Sequence, residues 1–376
     1  MAMDSVGDPE TLGGVPKARR INLLVLAYAA LIALAVLTVL VVARYGNAYA
    51  ARPMISIALQ PFVKGNFPPE PWSGPVHSPN HKPPAAAPAP DTGAPPAAKT
   101  GNASRAIYAG KALVADPALI EQTKEGPLPR IADDGRKPMD AYAPPVAATG
   151  GKHRIAIVMT GLGLSEKATA AAIRALPPAV TLAFAPQASD VQAQVNAARQ
   201  AGHEVLLQVP MEAYDTANND TGPHTLRAGL GEDANNARLS WALTRFTGYT
   251  GITNLMGARF LATRENVSPV MTFLSRRGLM FYDDGSAASS RAAEAAGVAG
   301  TAFVQGAFTI DTIANPADID RALSNLEMRA RSDGRAAATA TLLPATVERL
   351  ANWAKGLSSR GFVLVPASAI VAEAKQ

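Results

Sequence analysis

The residues that could do chemistry gather just after short apolar runs. In RRGLMFYDDGS (276–286), Asp283 and Asp284 are neighbouring carboxylates at the end of a strand-like stretch. Such a pair can bind a cation, or divide into acid and base when burial raises one pKa. Adjacent residues on an extended chain point to opposite faces, so at most one enters a shared pocket, and Asp284-Gly285 also reads as a turn. Asp283, and Glu212 in VPME, are the candidate catalytic carboxylates. Glu212 equally suits a sugar hydrogen-bond acceptor or a loop cap. Arg259, in NLMGARF, offers a planar fork for an anionic sugar group, or an ion pair with Asp283 or Glu212. Asn254, Thr160, Asp284 and Asp311 complete the expected substrate-binding set, with backbone bracing the other role open to Asn254. Gly161 and Gly163 could cradle an anion before a helix, but tight-turn geometry accounts for them.

Metal chemistry finds few ligands. The chain holds five histidines, His77, His81, His153, His203 and His224, and no cysteine. A water-activating divalent metal needs about three N or O ligands and one open position. His77 and His81 lie in a linker, His153 and His203 precede or start strands, and only His224 falls in a loop on the side where barrel sites form. No metal site and no cofactor is expected. The lack of cysteine excludes thiolate chemistry, and Ser-His-Asp catalysis lacks a suitably placed His.

The elements that must position these residues alternate regularly beyond Gly151. Strands are expected at 154–159, 180–184, 204–209, 251–254, 279–282, 301–304, 335–340 and 362–365. Helices are expected at 165–176, 189–201, 232–246, 264–277, 287–296, 316–332 and 344–359. This alternation predicts a parallel α/β fold, a closed or nearly closed β/α barrel with a doubly wound open sheet as the rival. In a barrel the working face is the C-terminal edge of the strands. That edge gathers Thr160, Gly161 and Gly163; Glu212, Asp215 and Asn219; Asn254 and Arg259; Asp283, Asp284 and Ser286; and Asp311. The long loop 210–231 is placed to act there as a lid or rim.

Four segments in register carry a family resemblance: HRIAIVMTGLGLSEKAT from His153, GHEVLLQVPMEAYDTANNDTGPHTL (202–226), ITNLMGARF (252–260) and RRGLMFYDDGS. From about Gly126 to about Ile370 the chain resembles the divergent polysaccharide deacetylase family, which implies a distorted β/α barrel and activity on acylated amino sugars. The resemblance also implies an Asp-Asp pair where this chain has Thr160 and Gly161, and a His where it has Leu255. It implies a Gly-His-Pro-His-Pro run where this chain has Ala340, Thr341, Leu342, Leu343 and Pro344. Neither Thr nor Leu replaces those ligands.

The N-terminal third is organised differently. Residues 21–43 form an uncharged apolar run long enough to span a bilayer, which takes about 20 residues as a helix. Lys17, Arg19 and Arg20 before it and Arg44 after it place residues 1–20 in the cytoplasm and the bulk of the chain outside. Ala48-Tyr49-Ala50 has the look of a signal-peptidase site, but the apolar run is longer than a signal's core, so an uncleaved anchor is expected. Residues 44–125 form a linker and arm, Pro- and Ala-rich from Pro61 to about Ala98, that reads as an extended spacer or a ligand for a partner's groove. Within 101–150, ALVADPALIEQ has a short helical rhythm and Asp134-Gly135 marks a turn, the features of an arm lying on the barrel. Residues 126–376 form the deacetylase-like domain.

Charge adds an exclusion. Residues 151–376 carry 21 Lys and Arg against 19 Asp and Glu, without a basic stripe interleaved with aromatics, which disfavours nucleic acid. The expected protein is a single-pass bacterial inner-membrane protein with a periplasmic domain that binds or metabolises a cell-envelope glycan without hydrolysing it. The alternatives are an active deacetylase on N-acyl amino-sugar polymers, metal-free chemistry by Asp283, Glu212 and Asp311, and a scaffold that engages envelope proteins through the Pro-rich stalk.

Overall fold

The structure is a computed structural model that describes residues 31–34, 36–37, 115–146 and 149–371. The chain divides into two units, 1–90 and 91–376. In the first, residues 31–34 and 36–37 are helical. The rest of the expected span 21–43, its flanking charges, Ala48 to Ala50, the Pro-rich stretch, His77 and His81 lie outside the described residues. Among the described residues no helix is long and apolar enough to cross a membrane.

The second unit opens with a hairpin of β1 (Ile120–Thr123) and β2 (Gly126–Pro129), then one helical turn, α1 (Pro138–Ala141). In the described part of ALVADPALIEQ, from Ala115 on, the expected helical rhythm gives a 3-10 turn at Pro117–Leu119 before β1 begins. Proline favours the first turn and Ile120 and Thr123 are β-branched, so the segment straightens. The Asp134-Gly135 turn is present, with Gly135 N donating to Ala132 O at 2.9 Å. The arm is fixed to the barrel by Arg277, which donates to Pro129 O and pairs with Glu121, and by Tyr142 packed under the Arg199 guanidinium.

The alternating units follow in order: β3 (His153–Leu162), α2 (Glu166–Ala175), β4 (Thr181–Phe184), α3 (Val191–Gln200), β5 (Val205–Met211), α4 (Glu232–Leu243), β6 (Gly251–Met256), α5 (Arg264–Arg276), β7 (Met280–Asp283), α6 (Ala292–Ala299), β8 (Phe303–Gln305), α7 (Pro316–Asp333), β9 (Arg335–Thr341), α8 (Pro344–Lys355) and β10 (Phe362–Leu364). Local chemistry sets the helix starts. Ser165 and Asn315 accept the N–H groups of Ala168 and Asp318 as N-caps, and Pro316 and Pro344 occupy first-turn positions. The expected helix 287–296 begins five residues late, at Ala292. Its first turn is displaced because the Ser290 hydroxyl is drawn to Asp283 Oδ2 at 2.6 Å while Ser290 Oγ accepts Ala292 N.

Every pairing in the eight-stranded sheet is parallel. Starting at β9, the order runs through β3, β4, β5, β6 and β7 to β8, with β10 beside the first residues of β3. The residual gap between β8 and β9 is bridged by segment 307–310, whose Ala307 and Ile310 N–H groups donate to Ala337 O and Thr339 O at 2.8 Å. The result is a nearly closed, distorted β/α barrel. Strand alternation sorts its residues. Ile155, Ile157 and Met159 of β3 face the helices in the main core, whereas Ala156 and Val158 face the interior with Ala183, Leu206, Met280, Tyr282, Val304 and Ala337. Three alanines, Ala156, Ala183 and Ala337, leave room in the lumen for the larger Leu206, Met280 and Tyr282. The C-terminal segment closes the base of the barrel, where Val365, Ala367 and Ile370 join the interior cluster.

Candidate functional site

The C-terminal ends of the strands bring most of the expected set to one end of the barrel. Thr160, on β3, spends its hydroxyl on Ala340 O at 3.1 Å, and Leu342 N donates to Thr160 O. Gly161 follows with φ +84°, and its N–H donates to Gln208 Oε1 at 3.2 Å. A Cβ at Gly161 would meet only Leu342 Cβ, at 3.9 Å, so backbone conformation rather than space bars a larger residue there.

Strand parity divides the aspartate pair. Phe281 belongs to the outer core and Tyr282 to the inner cluster, so Asp283 turns outward and Asp284 turns toward the mouth. Asp283 is fully buried; Oδ1 accepts Gly285 N at 3.0 Å and Oδ2 accepts the Ser290 hydroxyl. This carboxylate ties the β7–α6 connection and does not enter the lumen. Asp284 holds Ser286 N at 2.8 Å, and burial pushes its carboxyl above the ordinary aspartate range against the hydrogen bonds from Ser286 and Asn254. Beneath it Tyr282 donates to Thr339 Oγ1 at 3.1 Å, and Thr339 donates to Asp284 O at 2.9 Å.

Asn254 is a brace with two duties. Buried at the end of β6, it donates to Met256 O at 2.6 Å and accepts Asp284 N at 3.0 Å. Met256 adopts φ +60°, rare for a residue with a side chain, and this bond helps hold it there. Asp311 is likewise spent on the fold: its carboxylate accepts Thr341 N and the hydroxyls of Thr341 and Thr346.

Glu212 and Arg259 do pair, Nη1 to Oε1 at 3.2 Å. The other Glu212 oxygen accepts Ala228 N at 2.7 Å, and Glu212 O accepts the N–H groups of Arg259 and Phe260. Glu212 thereby joins the β5 and β6 ends to the loop that follows β5. That loop returns to its own strand, with Leu226 bridging Met211, and encloses a polar cleft of about 320 Å³ lined by Glu212, Thr216, Asn219, Asp220, Thr221 and Arg227. Asp215 is exposed, and hydrogen bonds from Asn218 hold its pKa down. His224 lies flat on Trp241, ring centroids 3.5 Å apart, so its ring packs on α4.

These residues do not fit a metal. Among the described residues no group of three His, Cys, Asp or Glu side chains could hold an ion. At the positions in question stand an engaged hydroxyl, a glycine at positive φ, and Leu255 and Leu342. The sequence reading missed Gln208, Ser290 and the Tyr282–Thr339 pair. It also missed an apolar rim: Met256 ends β6, Leu164, Tyr214 and Ile313 come after β3, β5 and β8, and the exposures of Leu164, Tyr214, Met256 and Ile313 are 63%, 67%, 38% and 60%. Gln208 carried a legible signal, a lone amide inside the apolar run VLLQVP.

Comparison with known proteins agrees with this architecture. The chain is 28% identical over 201 residues to the uncharacterized protein YibQ of Escherichia coli K12, covering 54% of this chain and 62% of that protein. An uncharacterized protein of Haemophilus influenzae is 26% identical over 196 residues, covering 52% of this chain and 69% of the relative. The chain thus spans less than two thirds of the length of the E. coli relative. The crystal structure of the uncharacterized protein ATU2773 from Agrobacterium tumefaciens superposes with a TM-score of 0.64 at 38% identity, covering 65% of this chain and all of that one. The family model for divergent polysaccharide deacetylases matches residues 157–371, from the first barrel strand to the closing segment, and the chain belongs to that family.

Proposed function

We propose that this protein binds a cell-envelope glycan at the mouth of its barrel without hydrolysing it, held to the bacterial inner membrane by residues 21–43 with the barrel in the periplasm. The observation that carries the reading is the make-up of the mouth. Where a water-activating metal needs ligands there are Thr160, Gly161, Leu255 and Leu342, and the buried carboxylates of Asp283 and Asp311 are engaged in bracing the fold. What remains open is suited to recognition. Tyr214 and Met256 present apolar surface to sugar C–H faces, and Arg259, half exposed beside Glu212, supplies donors to hydroxyl or acyl oxygens. The polar cleft behind Glu212 extends this surface with hydroxyl and amide groups.

The test is calorimetric titration of the full chain with N-acylated amino-sugar oligosaccharides, beside an assay for released acyl groups with zinc, manganese or magnesium present. Saturable binding that weakens about tenfold in Arg259→Ala, the effect of losing one hydrogen bond to a charged group, with no acyl release, supports the reading. Acyl release that depends on added metal restores the hydrolytic alternative. Absence of binding to any acylated or plain oligosaccharide contradicts glycan recognition.

A further inference from the structure

We propose that Glu204 is a proton-operated latch at the base of the barrel: its carboxyl holds residues 365–371 across the barrel floor, and ionisation of that carboxyl releases them. The inference concerns the end of the barrel opposite the mouth and stands apart from the glycan reading.

The geometry is that of a clasp. Glu204 immediately precedes β5, and the parity that sends Leu206 into the lumen sends Glu204 inward as well; its side chain is fully buried. Oε2 accepts the Thr181 hydroxyl at 2.8 Å and Ser368 N at 3.1 Å. Thr181 Oγ1 in turn accepts Ala367 N at 2.9 Å. Two consecutive backbone N–H groups of the closing segment are thus satisfied by one carboxyl and the hydroxyl it orients. Val365, Ala367 and Ile370 fill the lumen above, and Val365 N donates to Ile155 O.

The other carboxyl oxygen, Oε1, is buried without a hydrogen-bond partner. A neutral acid can carry its proton there at modest cost, whereas a carboxylate would leave charge on an unpaired oxygen away from water. Burial accordingly pushes the Glu204 carboxyl above the ordinary glutamate range, against the opposing pull of Ser368, Thr181 and the nearby Thr250 hydroxyl, whose own hydrogen bond goes to Val205 O at 3.3 Å. The other charged or titratable groups on this region do not replace the proton. Arg154 of β3 donates to Ala369 O at 3.0 Å and Arg335 of β9 to Val371 O at 3.3 Å. The His203 ring is directed at Val180 O and Ile173 O, and burial holds its pKa down. Ionised Glu204 regains water when segment 365–371 lifts, which opens the base of the lumen.

Amide hydrogen exchange of the full chain, read at Ala367 and Ser368 as protection factors, tests the latch. As pH rises from the ordinary carboxylate range into the alkaline range, protection at these two amides should fall at least tenfold in the native chain. It should stay level in Glu204→Gln, which keeps the acceptor and cannot ionise. Thr181→Val, which removes the hydroxyl between Glu204 and Ala367 N, should lower protection about tenfold already at acid pH, the effect of one hydrogen bond of roughly 1.4 kcal/mol. Level protection in the native chain across this range overturns the latch. So does a fall of equal size in Glu204→Gln, which would assign the titration to another group. Should Glu204→Gln not fold, the native profile and Thr181→Val decide the matter between them.

Discussion

The two ends of the barrel lumen each bury a carboxyl group whose pKa is raised by desolvation, and they use it in opposite ways. At the base, Glu204 is enclosed by the chain's own backbone, and the apolar residues around it are buried in the lumen. At the mouth, Asp284 accepts Ser286 N and is braced by Asn254 and Thr339, and the large apolar residues Leu164, Tyr214, Met256 and Ile313 remain exposed. The difference teaches that the strand scaffold does not by itself define a catalytic centre. One end is consumed by closing the fold, and the other is the end to which the proposed function assigns a ligand.

The sharpest way to break this comparison is to truncate the base. Glu204→Ala leaves Ser368 N and the Thr181 hydroxyl without their acceptor and opens a small cavity, so about 2–4 kcal/mol of stability should be lost. Urea denaturation measures it, and a loss below about 1 kcal/mol would remove the distinction between the ends.

Next comes Asp283→Ala. As a brace that accepts Gly285 N and the Ser290 hydroxyl, Asp283 should cost about 2–3 kcal/mol when removed, while glycan affinity falls only as far as α6 is displaced. A variant as stable as the native chain but deficient in ligand turnover would return Asp283 to the catalytic role first assigned to it.

The pH dependence of stability separates the groups by sign. Glu204 and Asp284 have folded pKa values above their unfolded ones, so their contribution is full below the unfolded pKa and lost as pH rises through the folded value. His203 has its folded pKa lowered by burial, so its contribution is present above the ordinary histidine pKa and lost as pH falls toward the folded value. Thermal melts should therefore show Glu204→Gln and Asp284→Asn flattening the alkaline decline. If the two variants leave that decline unchanged, neither carboxyl is the buried acid described here.

The smallest effect on stability belongs to the rim. Tyr214→Ala removes an exposed side chain and should change stability by less than about 0.5 kcal/mol. Oligosaccharide affinity should fall about tenfold, in line with aromatic contacts worth roughly 0.5–1.5 kcal/mol beyond area burial. Equal affinity in the variant would take the rim out of the site.

Most of the architecture was legible because short continuous apolar runs, buried on both faces, alternate with Ala-rich helices, and caps such as Ser165 and Asn315 mark helix starts. The site was less legible, for a physical reason. Which of Asp283 and Asp284 faces the lumen depends on the parity of β7 against its neighbours, and parity needs the three-dimensional register. The partners of Asp311, Thr341 and Thr346, lie 30 and 35 residues away, joined only when β9 docks. The clasp at Glu204 spans 164 residues to Ser368, beyond any local pattern. Gln208 and Tyr214 were readable from local sequence, as a polar break in an apolar run and an aromatic in a polar loop.

The most direct test of the central claim is calorimetric titration of zinc into the full chain and into Asp284→Asn. The account predicts no saturable site at the barrel mouth, hence the same weak heats in both proteins. A stoichiometric site present in the native chain and lost in Asp284→Asn would contradict it, because the mouth would then hold a metal despite Thr160, Gly161 and Leu255.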